Sequence, residues 1–278
     1  MLSLNEKEVL KNLAERYATY ASLPTHHEKR ALWRALNRCE MQRPMILIDQ
    51  IPWHEMDVDG SLTPQVSDPY WRNVEITLRQ TLYKWEHMPA DMVLDPYLCL
   101  PKVIECTGYG LEREEDIAAL DAANDVVGHR YHNQITSFED IEKIQTPIWT
   151  LQEAETQLIR EEADELFKDI LPVRMTGVSL HLGLWDFISQ WMGVEAIYID
   201  LMDRPELLHA LMERMVSCTE HMVHQMDRDG LFDVQTHICH CSHTYCDNLP
   251  TPACDEDHPG AKDVWTYGMA QLLSLIHI

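Results

Sequence analysis

The sequence predicts an α/β fold built on a parallel sheet. Apolar runs typical of buried strands alternate along the chain with helical segments, which is the pattern of βαβ units. The 278 residues suffice for one large α/β domain or two small ones, and they would permit an eight-stranded barrel, which needs roughly 250 residues. Four well-supported strands precede residue 240 and a possible fifth begins near Met269, so such a barrel would be incomplete.

The first strand brings a candidate catalytic residue to an edge of this sheet. Residues 1–40 are predicted to be a helical N-terminal extension, because apolar residues recur at helical spacing with a break near Pro24. Pro44 to Asp49 follows as a nearly continuous apolar run, the pattern of a buried parallel strand. Asp49 would then emerge at the carboxyl edge, where α/β enzymes place their chemistry.

The remaining elements are predicted from periodicity and from turn signals. Four helices are expected, at residues 69–88, 148–169, 184–192 and 205–228. Extended segments or a hairpin are expected at residues 92–104, 128–135, 173–178 and 232–238. Asp203 is a plausible cap of the last helix, with Pro205 in its first turn.

Composition narrows the class of protein. With 22 Lys and Arg against 46 Asp and Glu, the net charge is −24, which repels nucleic acid and anionic lipid surfaces. No run approaches the roughly 20 apolar residues of a membrane span, and the N-terminus lacks the pattern of an export signal. Eight cysteines are too few for a disulfide scaffold. These features predict a cytoplasmic protein with reduced thiols and neither nucleic acid nor membrane as a partner.

The strongest chemical signal is the run from Thr236 to Cys241, in which thiols and imidazoles crowd together. Thiolate and imidazole are the ligands that zinc prefers. In an extended strand His237, Cys239 and Cys241 would share one face and could bind one ion. If instead the strand ends at Cys239 and the chain turns there, His240 and Cys241 become alternative ligands. The competing interpretation is a set of buried thiols and hydrogen-bonded histidines at a strand end.

Weaker candidates lie elsewhere. After the first strand, Asp49 and the residues His54, Glu55 and Asp57 could supply a general base, although acidic loops are usually only solvated. Arg174, on the predicted strand 173–178, could hold an anionic substrate near a turn relieved by glycine. The chain contains no dinucleotide-binding, Walker or nucleophile-elbow motif.

Several stretches of the chain resemble the uroporphyrinogen decarboxylase superfamily, which includes corrinoid methyltransferases. The resemblance spans roughly residues 40 to 273, and it is carried by the following segments: Gly183-Leu184-Trp185-Asp186, Asp203-Arg204-Pro205-Glu206, the strand ending in His237-Ile238-Cys239, Asp247-Asn248-Leu249-Pro250 and Ala261 to Gln271. It implies a (β/α)8 TIM barrel over residues 41–273, incomplete here, holding about the first four to five strands.

The methyltransferase branch implies a particular chemistry. There a His-x-Cys at a strand end, with a later cysteine, binds zinc, which presents a substrate thiol as a thiolate for methyl transfer from or to a corrinoid. His237 and Cys239 match that pair by spacing, and His240 with Cys241 is the competing match. A corrinoid carrier protein would then be the partner and a small molecule the substrate.

Two alternative functions remain open. One is a metal-free decarboxylase of a tetrapyrrole, as in porphyrin biosynthesis, in which Asp49 and Arg174 handle substrate carboxylates. The other is a non-catalytic module that holds a corrinoid or a porphyrin.

Residues 274–278 resemble a translated sequencing adapter and are expected to be a non-native tail. The resemblance therefore predicts a chain shortened at its C-terminus, lacking the later cysteine and inactive as it stands.

Overall fold

The computed structural model describes residues 2–119, 127–234, 238–239, 242–243, 245–255 and 258–268. The chain divides into two compact units. Unit 1 comprises Met1–Val103, Gln152–Gly177 and Asp233–Pro252, and unit 2 comprises Ile104–Leu151, Val178–Phe232 and Ala253–Ile278. Predicted residues 269–272 and 274–278 lie outside the described part.

The described helices are α1 Leu4–Ala21, α2 Thr25–Asn37, α3 Trp53–Met56, α4 Pro69–His87, α5 Phe138–Ile141, α6 Glu153–Phe167, α7 Leu184–Met192, α8 Val194–Asp203 and α9 Pro205–Arg228. The described strands are β1 Leu98–Pro101, β2 Ile104–Cys106, β3 Glu115–Ala118, β4 Gly128–Tyr131, β5 Trp149–Leu151, β6 Val173–Thr176, β7 His181–Leu182, β8 Ile238–Cys239, β9 Ser242–His243 and β10 Tyr267–Gly268. Among these helices, none is both long and apolar enough to cross a bilayer.

The helical structure predicted for residues 1–40 is confirmed as two helices, which belong to unit 1. The Ser3 hydroxyl accepts a hydrogen bond from the Glu6 N–H, and the Glu6 carboxylate accepts one from the Ser3 N–H, which is the capping box that starts α1. Pro24 separates α1 from α2. Asp68 caps α4 in a similar way, with Pro69 in the first turn.

The predicted barrel is wrong. In the part of the chain that the structure describes, every sheet has two strands: β1 with β6 and β7 with β10 in parallel, β2 with β5, β3 with β4 and β8 with β9 antiparallel. Closing a barrel requires each strand to pair on both edges. These strands are two to four residues long, and each pairs on one edge only.

The first predicted strand is also wrong, and its failure removes the starting point of the expected sheet. Residues 44–49 form no strand, although alternate residues are exposed, with Ile46 59% and Ile48 37% accessible. The Ile46 N–H donates to the Asp91 carboxylate, and the Asp91 N–H donates to the Ile46 carbonyl. The same Asp91 carboxylate also forms an ion pair with Arg43, with 2.6 Å between Nη2 and Oδ1. Asp91, a loop residue, thus satisfies the backbone N–H and carbonyl of Ile46, as a neighbouring strand would do in a sheet.

Unit 1 has its main core between α1, α4, α6 and β1. Leu10, Trp71, Leu82, Leu100 and Phe167 are almost wholly buried there. β1 is the strand of this core, and its pairing with β6 sets Cys99 directly opposite Arg174. The strand predicted at 173–178 is therefore confirmed for residues 173–176.

Unit 2 has its main core around α7, α8 and α9. Ile188, Trp191, Ile197, Leu207 and Leu211 are buried together. The predicted helices 184–192 and 205–228 are confirmed at the stated residues. Sequence reasoning missed α8 between them, so the expected cap Asp203 is instead the last residue of that helix. The hairpin expected within 128–135 is wrong, because residues 132–135 form no strand and β4 pairs instead with the earlier strand β3.

Candidate functional site

The thiol and imidazole run lies mostly outside the described residues. Nothing is described of His237, His240 or Cys241, and of Cys239 only the backbone is described. That backbone belongs to β8, which pairs antiparallel with β9 so that Cys239 stands opposite Ser242. The described part of β8 comprises Ile238 and Cys239 alone, so the choice between Cys241 and His240 as the further ligand lies outside the described residues.

Tyr245 anchors the chain just after this run. Its side chain is buried, and its hydroxyl donates a hydrogen bond of 3.2 Å to Oδ2 of Asp95. The other carboxylate oxygen of Asp95 accepts from Arg30, at 2.9 Å from Nη2 and 3.2 Å from Nε. The C-terminal flank of the run is thus tied to Asp95, four residues before Cys99.

The backbone of the same flank is held by α2. The Asn37 side-chain amide donates to the carbonyl oxygens of His243, at 3.1 Å, and Tyr245, at 2.7 Å. The His243 ring is buried and packs edge-on against Trp33, with 5.0 Å between ring centroids. One helix of unit 1 therefore fixes both ends of the segment 243–245.

The N-terminal flank of the run lies close to Cys99. Burial and, to a smaller extent, the carboxylates of Asp233 and Asp95 raise the pKa of the Cys99 thiol to about 12, against the opposing effect of the Arg174 guanidinium. Cys99 still has solvent-accessible surface, because it lines an open cavity whose walls desolvate the thiol. Asp233 precedes the run by three residues. The C-terminal flank of the run thus contacts Asp95, and the carboxylate of the N-terminal flank acts electrostatically on Cys99.

That stretch forms one wall of a cavity of about 380 Å³ in unit 1. α4 forms the opposite wall, along which Asn73, Thr77, Thr81 and Lys84 present polar side chains. The volume lies near the lower end of the range for small-molecule sites, roughly 300–1,000 Å³. The cavity suits a small molecule better than a tetrapyrrole macrocycle.

Three tyrosines line this cavity. Burial raises the pKa of Tyr17, Tyr70 and Tyr97 well above the ordinary value, so all three phenols stay protonated at neutral pH. The Tyr70 hydroxyl already donates its proton to the Pro101 carbonyl at 2.8 Å. These side chains therefore add no phenolate charge to the cavity.

The structure brings the candidates Asp49 and Arg174 to residues of the same cavity. Asp49 lies 3.9 Å from the ammonium group of Lys84, which lines one wall. The Arg174 guanidinium carbon lies 3.9 Å from the centroid of the Tyr97 ring, a cation–π contact with the other wall. The two candidates contact different lining residues and belong to unit 1.

Asp57, another of the weak candidates, has a structural role. The Asp57 carboxylate accepts from the Leu62 N–H and the Thr63 hydroxyl, which closes a turn as in an ordinary solvated loop. His181 in unit 2 contacts Asp186 at 3.1 Å, across Gly183. A Cβ at position 183 would collide with both side chains, so glycine is needed for this pair.

The donor set of the run fits zinc by its chemistry. It offers neutral imidazole and thiolate within one short segment, and a catalytic zinc site commonly takes three such ligands. Within the described ranges, no three His, Cys, Asp or Glu side chains converge on a point that could hold a metal. The candidate zinc ligands remain those that the sequence predicts: His237, Cys239 and Cys241, with His240 as the alternative.

Sequence reasoning missed the residues that hold the flanks: Arg30, Asn37, Asp95 and Tyr245. Asn37 and Arg30 lie on a helix that the sequence treats as a mere extension, and their partners are 64 or more residues away in sequence. The sequence contains no signal that would have linked them to the run. No protein-family model, curated protein or solved structure matches the chain.

Proposed function

We propose that this chain is a zinc-dependent enzyme of the uroporphyrinogen decarboxylase superfamily that transfers a methyl group between a corrinoid carrier and a thiol. The proposal takes from that superfamily the chemistry of the His/Cys run and leaves its barrel aside. Its main support is that the C-terminal flank of the run contacts one wall of the unit 1 cavity through Tyr245 and Asp95, while the Asp233 carboxylate of the N-terminal flank raises the pKa of Cys99 in the same wall. A metal held by the run would then lie beside a space for a small substrate.

The proposal gives each group a limited task. His237 and Cys239 hold zinc, with Cys241 or His240 as the further ligand, and bound zinc lowers the pKa of a thiol so that it is held as a thiolate. The cavity between α4 and residues 92–101 binds the small substrate through Thr77, Thr81 and Lys84. Cys99 remains a neutral thiol at physiological pH, so it does not compete as a nucleophile.

Zinc content tests the metal site. The purified chain is expected to hold one zinc ion, measured by elemental analysis, and Cys239→Ala to lose it. Cys106→Ala is the matched control, because Cys106 is exposed and belongs to unit 2. The metal site is refuted if zinc is absent from the purified chain or is retained at the same level by Cys239→Ala.

Methyl transfer tests the reaction. The resemblance predicts that the chain is inactive as it stands, and this assay tests that expectation as well. Loss of the methyl–cobalt absorbance of methylcobalamin with an added thiol and the zinc-loaded chain, abolished by Cys239→Ala, supports the transfer and overturns the expectation of an inactive chain. A zinc-loaded chain that leaves methylcobalamin intact with a series of thiols would contradict the transfer step and leave the metal site standing.

A tetrapyrrole decarboxylase is the second candidate function. It is favoured by the contacts of Asp49 with Lys84 and of Arg174 with Tyr97, which bring two cations and a carboxylate to residues of one cavity. A large substrate with several carboxylates is disfavoured, because the cavity holds only about 380 Å³ and Lys84 already lies 3.9 Å from the Asp49 carboxylate. Ultraviolet–visible titration decides: a porphyrin that binds and is then decarboxylated supports this function, and tight binding without turnover supports a holding module.

A further inference from the structure

Tyr245 is held at both its backbone and its hydroxyl. The carbonyl oxygen accepts from Asn37 at 2.7 Å and the hydroxyl donates to Asp95 at 3.2 Å. The side chain packs in a small cluster with Trp33 and Val93, where it is 4% exposed. Burial, followed by the Asp95 carboxylate, raises the pKa of the phenol far above neutrality, so the hydroxyl stays a donor. Its position is therefore fixed by two independent contacts.

Asp95 is itself fixed. Arg30 binds its Oδ1 through two nitrogens and also donates to the Leu94 carbonyl at 3.1 Å. The Arg30 and Asp95 side chains are only 15% and 18% exposed, so their attraction is screened less than that of a surface pair. The other carboxylate oxygen of Asp95, Oδ2, accepts the hydrogen bond from the Tyr245 hydroxyl. The side chains of Arg30, Asp95 and Tyr245 are therefore each held by hydrogen bonds to the next.

We propose that Tyr245 is a positioning residue for the His/Cys run, and that the Arg30–Asp95–Tyr245 chain sets the geometry of the metal ligands. Tyr245 comes two residues after His243, where the β8–β9 hairpin ends, so fixing it limits how far the hairpin can move. The inference rests on the proposed zinc site and adds the residues that hold it. Partners that orient metal ligands typically change metal affinity by 10–100-fold when they are removed.

A structural role alone would give a different result. Loss of a buried hydroxyl lowers stability wherever it occurs, whereas only a positioning hydroxyl changes metal affinity. Tyr70 provides the comparison within unit 1, because it is a partly buried tyrosine whose hydroxyl also donates one hydrogen bond, to the Pro101 carbonyl. Tyr245→Phe and Tyr70→Phe each remove one hydroxyl and keep the ring.

The experiment measures zinc affinity by competition with a chromogenic chelator in the full-length chain and in both variants. Tyr245→Phe is expected to bind zinc about 10–100-fold more weakly than the unmodified chain, and Tyr70→Phe with unchanged affinity. The visible spectrum of the cobalt-substituted protein should change in Tyr245→Phe alone. Equal zinc affinity in all three proteins overturns the positioning role and leaves the proposed zinc site intact.

A second measurement does not depend on metal. In the metal-free protein, the backbone amides of Ile238, Cys239, Ser242 and His243 should exchange hydrogen faster in Tyr245→Phe than in Tyr70→Phe, because the hairpin has lost its anchor. Equal exchange rates overturn the proposal. An unmodified chain that binds no zinc overturns the proposed function and this inference together, so the two failures are distinguishable.

Discussion

Glu75 and Arg79 form an ion pair in which the carboxylate is completely buried and the guanidinium is 12% exposed. The two residues lie one turn apart on α4, and Arg79 Nε donates to Glu75 Oε1 at 2.7 Å. The same carboxylate accepts from the backbone N–H groups of Gln65 and Val66. α4, which forms one wall of the cavity, is thereby tied to the chain that precedes it.

Removing this carboxylate should destabilise the protein strongly. Glu75→Ala leaves a buried guanidinium and two backbone donors without their acceptor, so a loss of about 3–5 kcal/mol is expected in the free energy of unfolding. Urea denaturation followed by circular dichroism measures it. Glu165→Ala is the control, because Glu165 pairs with Lys7 at the surface and its side chain is 72% exposed. A change below about 1 kcal/mol is expected there, and similar losses in both variants would contradict the prediction.

Stability should fall when the pH drops below about 6.5, through His26. This buried ring accepts from the Leu94 N–H at Nδ1 and contacts the Tyr20 carbonyl at Nε2, so its neutral form is the one that fits. Burial lowers the pKa of His26 from 6.5, and Arg30 and Lys29 lower it further. Because the unfolded chain binds the proton more readily, the stabilisation is complete above pH 6.5 and is lost as the pH falls toward the folded-state pKa.

The check for His26 is the unfolding free energy between pH 8 and pH 5.5. His26→Gln should flatten the pH dependence, and the exposed neighbour His27 serves as the control through His27→Gln. A pH profile that His26→Gln leaves unchanged would refute the assignment.

The end of α9 depends on a glycine. Gly230 has a φ of +62°, and the Leu231 N–H closes the helix on the Met226 carbonyl at 3.1 Å. Gly230→Ala should cost about 1–2 kcal/mol, because the left-handed conformation is strained for alanine and the added Cβ would approach His258. Thermal unfolding measures the change. At Gly128 a Cβ meets only ordinary contacts, so Gly128→Ala should cost less, and an equal cost would contradict the argument.

Cys99 should react slowly with alkylating reagents. With a pKa of about 12 instead of 9.0, its thiolate fraction at pH 8 is about a thousandfold lower than that of an unperturbed cysteine. Peptide mapping after iodoacetamide treatment gives the rate, which should rise steadily up to pH 10 without a plateau. Arg174→Ala should slow the reaction further, because the guanidinium lowers the thiol pKa. A plateau near pH 8 would show that the thiol is not desolvated.

Helices were predictable here because their signals are local. α9 shows apolar residues at helical spacing behind a proline in the first turn, and its observed bounds match the prediction. α8 was missed because apolar residues lie on all of its faces, including the exposed Tyr198 and Met202. Its sequence therefore lacks the helical periodicity of apolar and polar residues by which an amphipathic helix is predicted. Pairing was not predictable, since β1 meets β6 more than 70 residues later and no local pattern selects that partner.

Of the candidate site, only the possible metal ligands were predictable from the sequence. A thiol and imidazole run stands out in a sequence, whereas Arg30, Asn37 and Asp95 become relevant only through contacts made across the fold. The apolar run at 44–49 was misread because hydrophobicity predicts an extended segment and does not reveal whether a partner strand exists. Asp91 satisfies the Ile46 backbone in place of that strand.

The same segment gives the protein a route to self-association. Ile46 and Ile48 are exposed apolar side chains on a segment that lies in no sheet, and exposed apolar segments favour association between molecules. Ile46→Lys with Ile48→Lys should delay the concentration-dependent rise in light scattering, whereas Val58→Lys, at an 89% exposed residue outside the segment, should not. Residues that were expected to begin a barrel would thus set the limit on how concentrated this protein can become before fibrils or amorphous particles form.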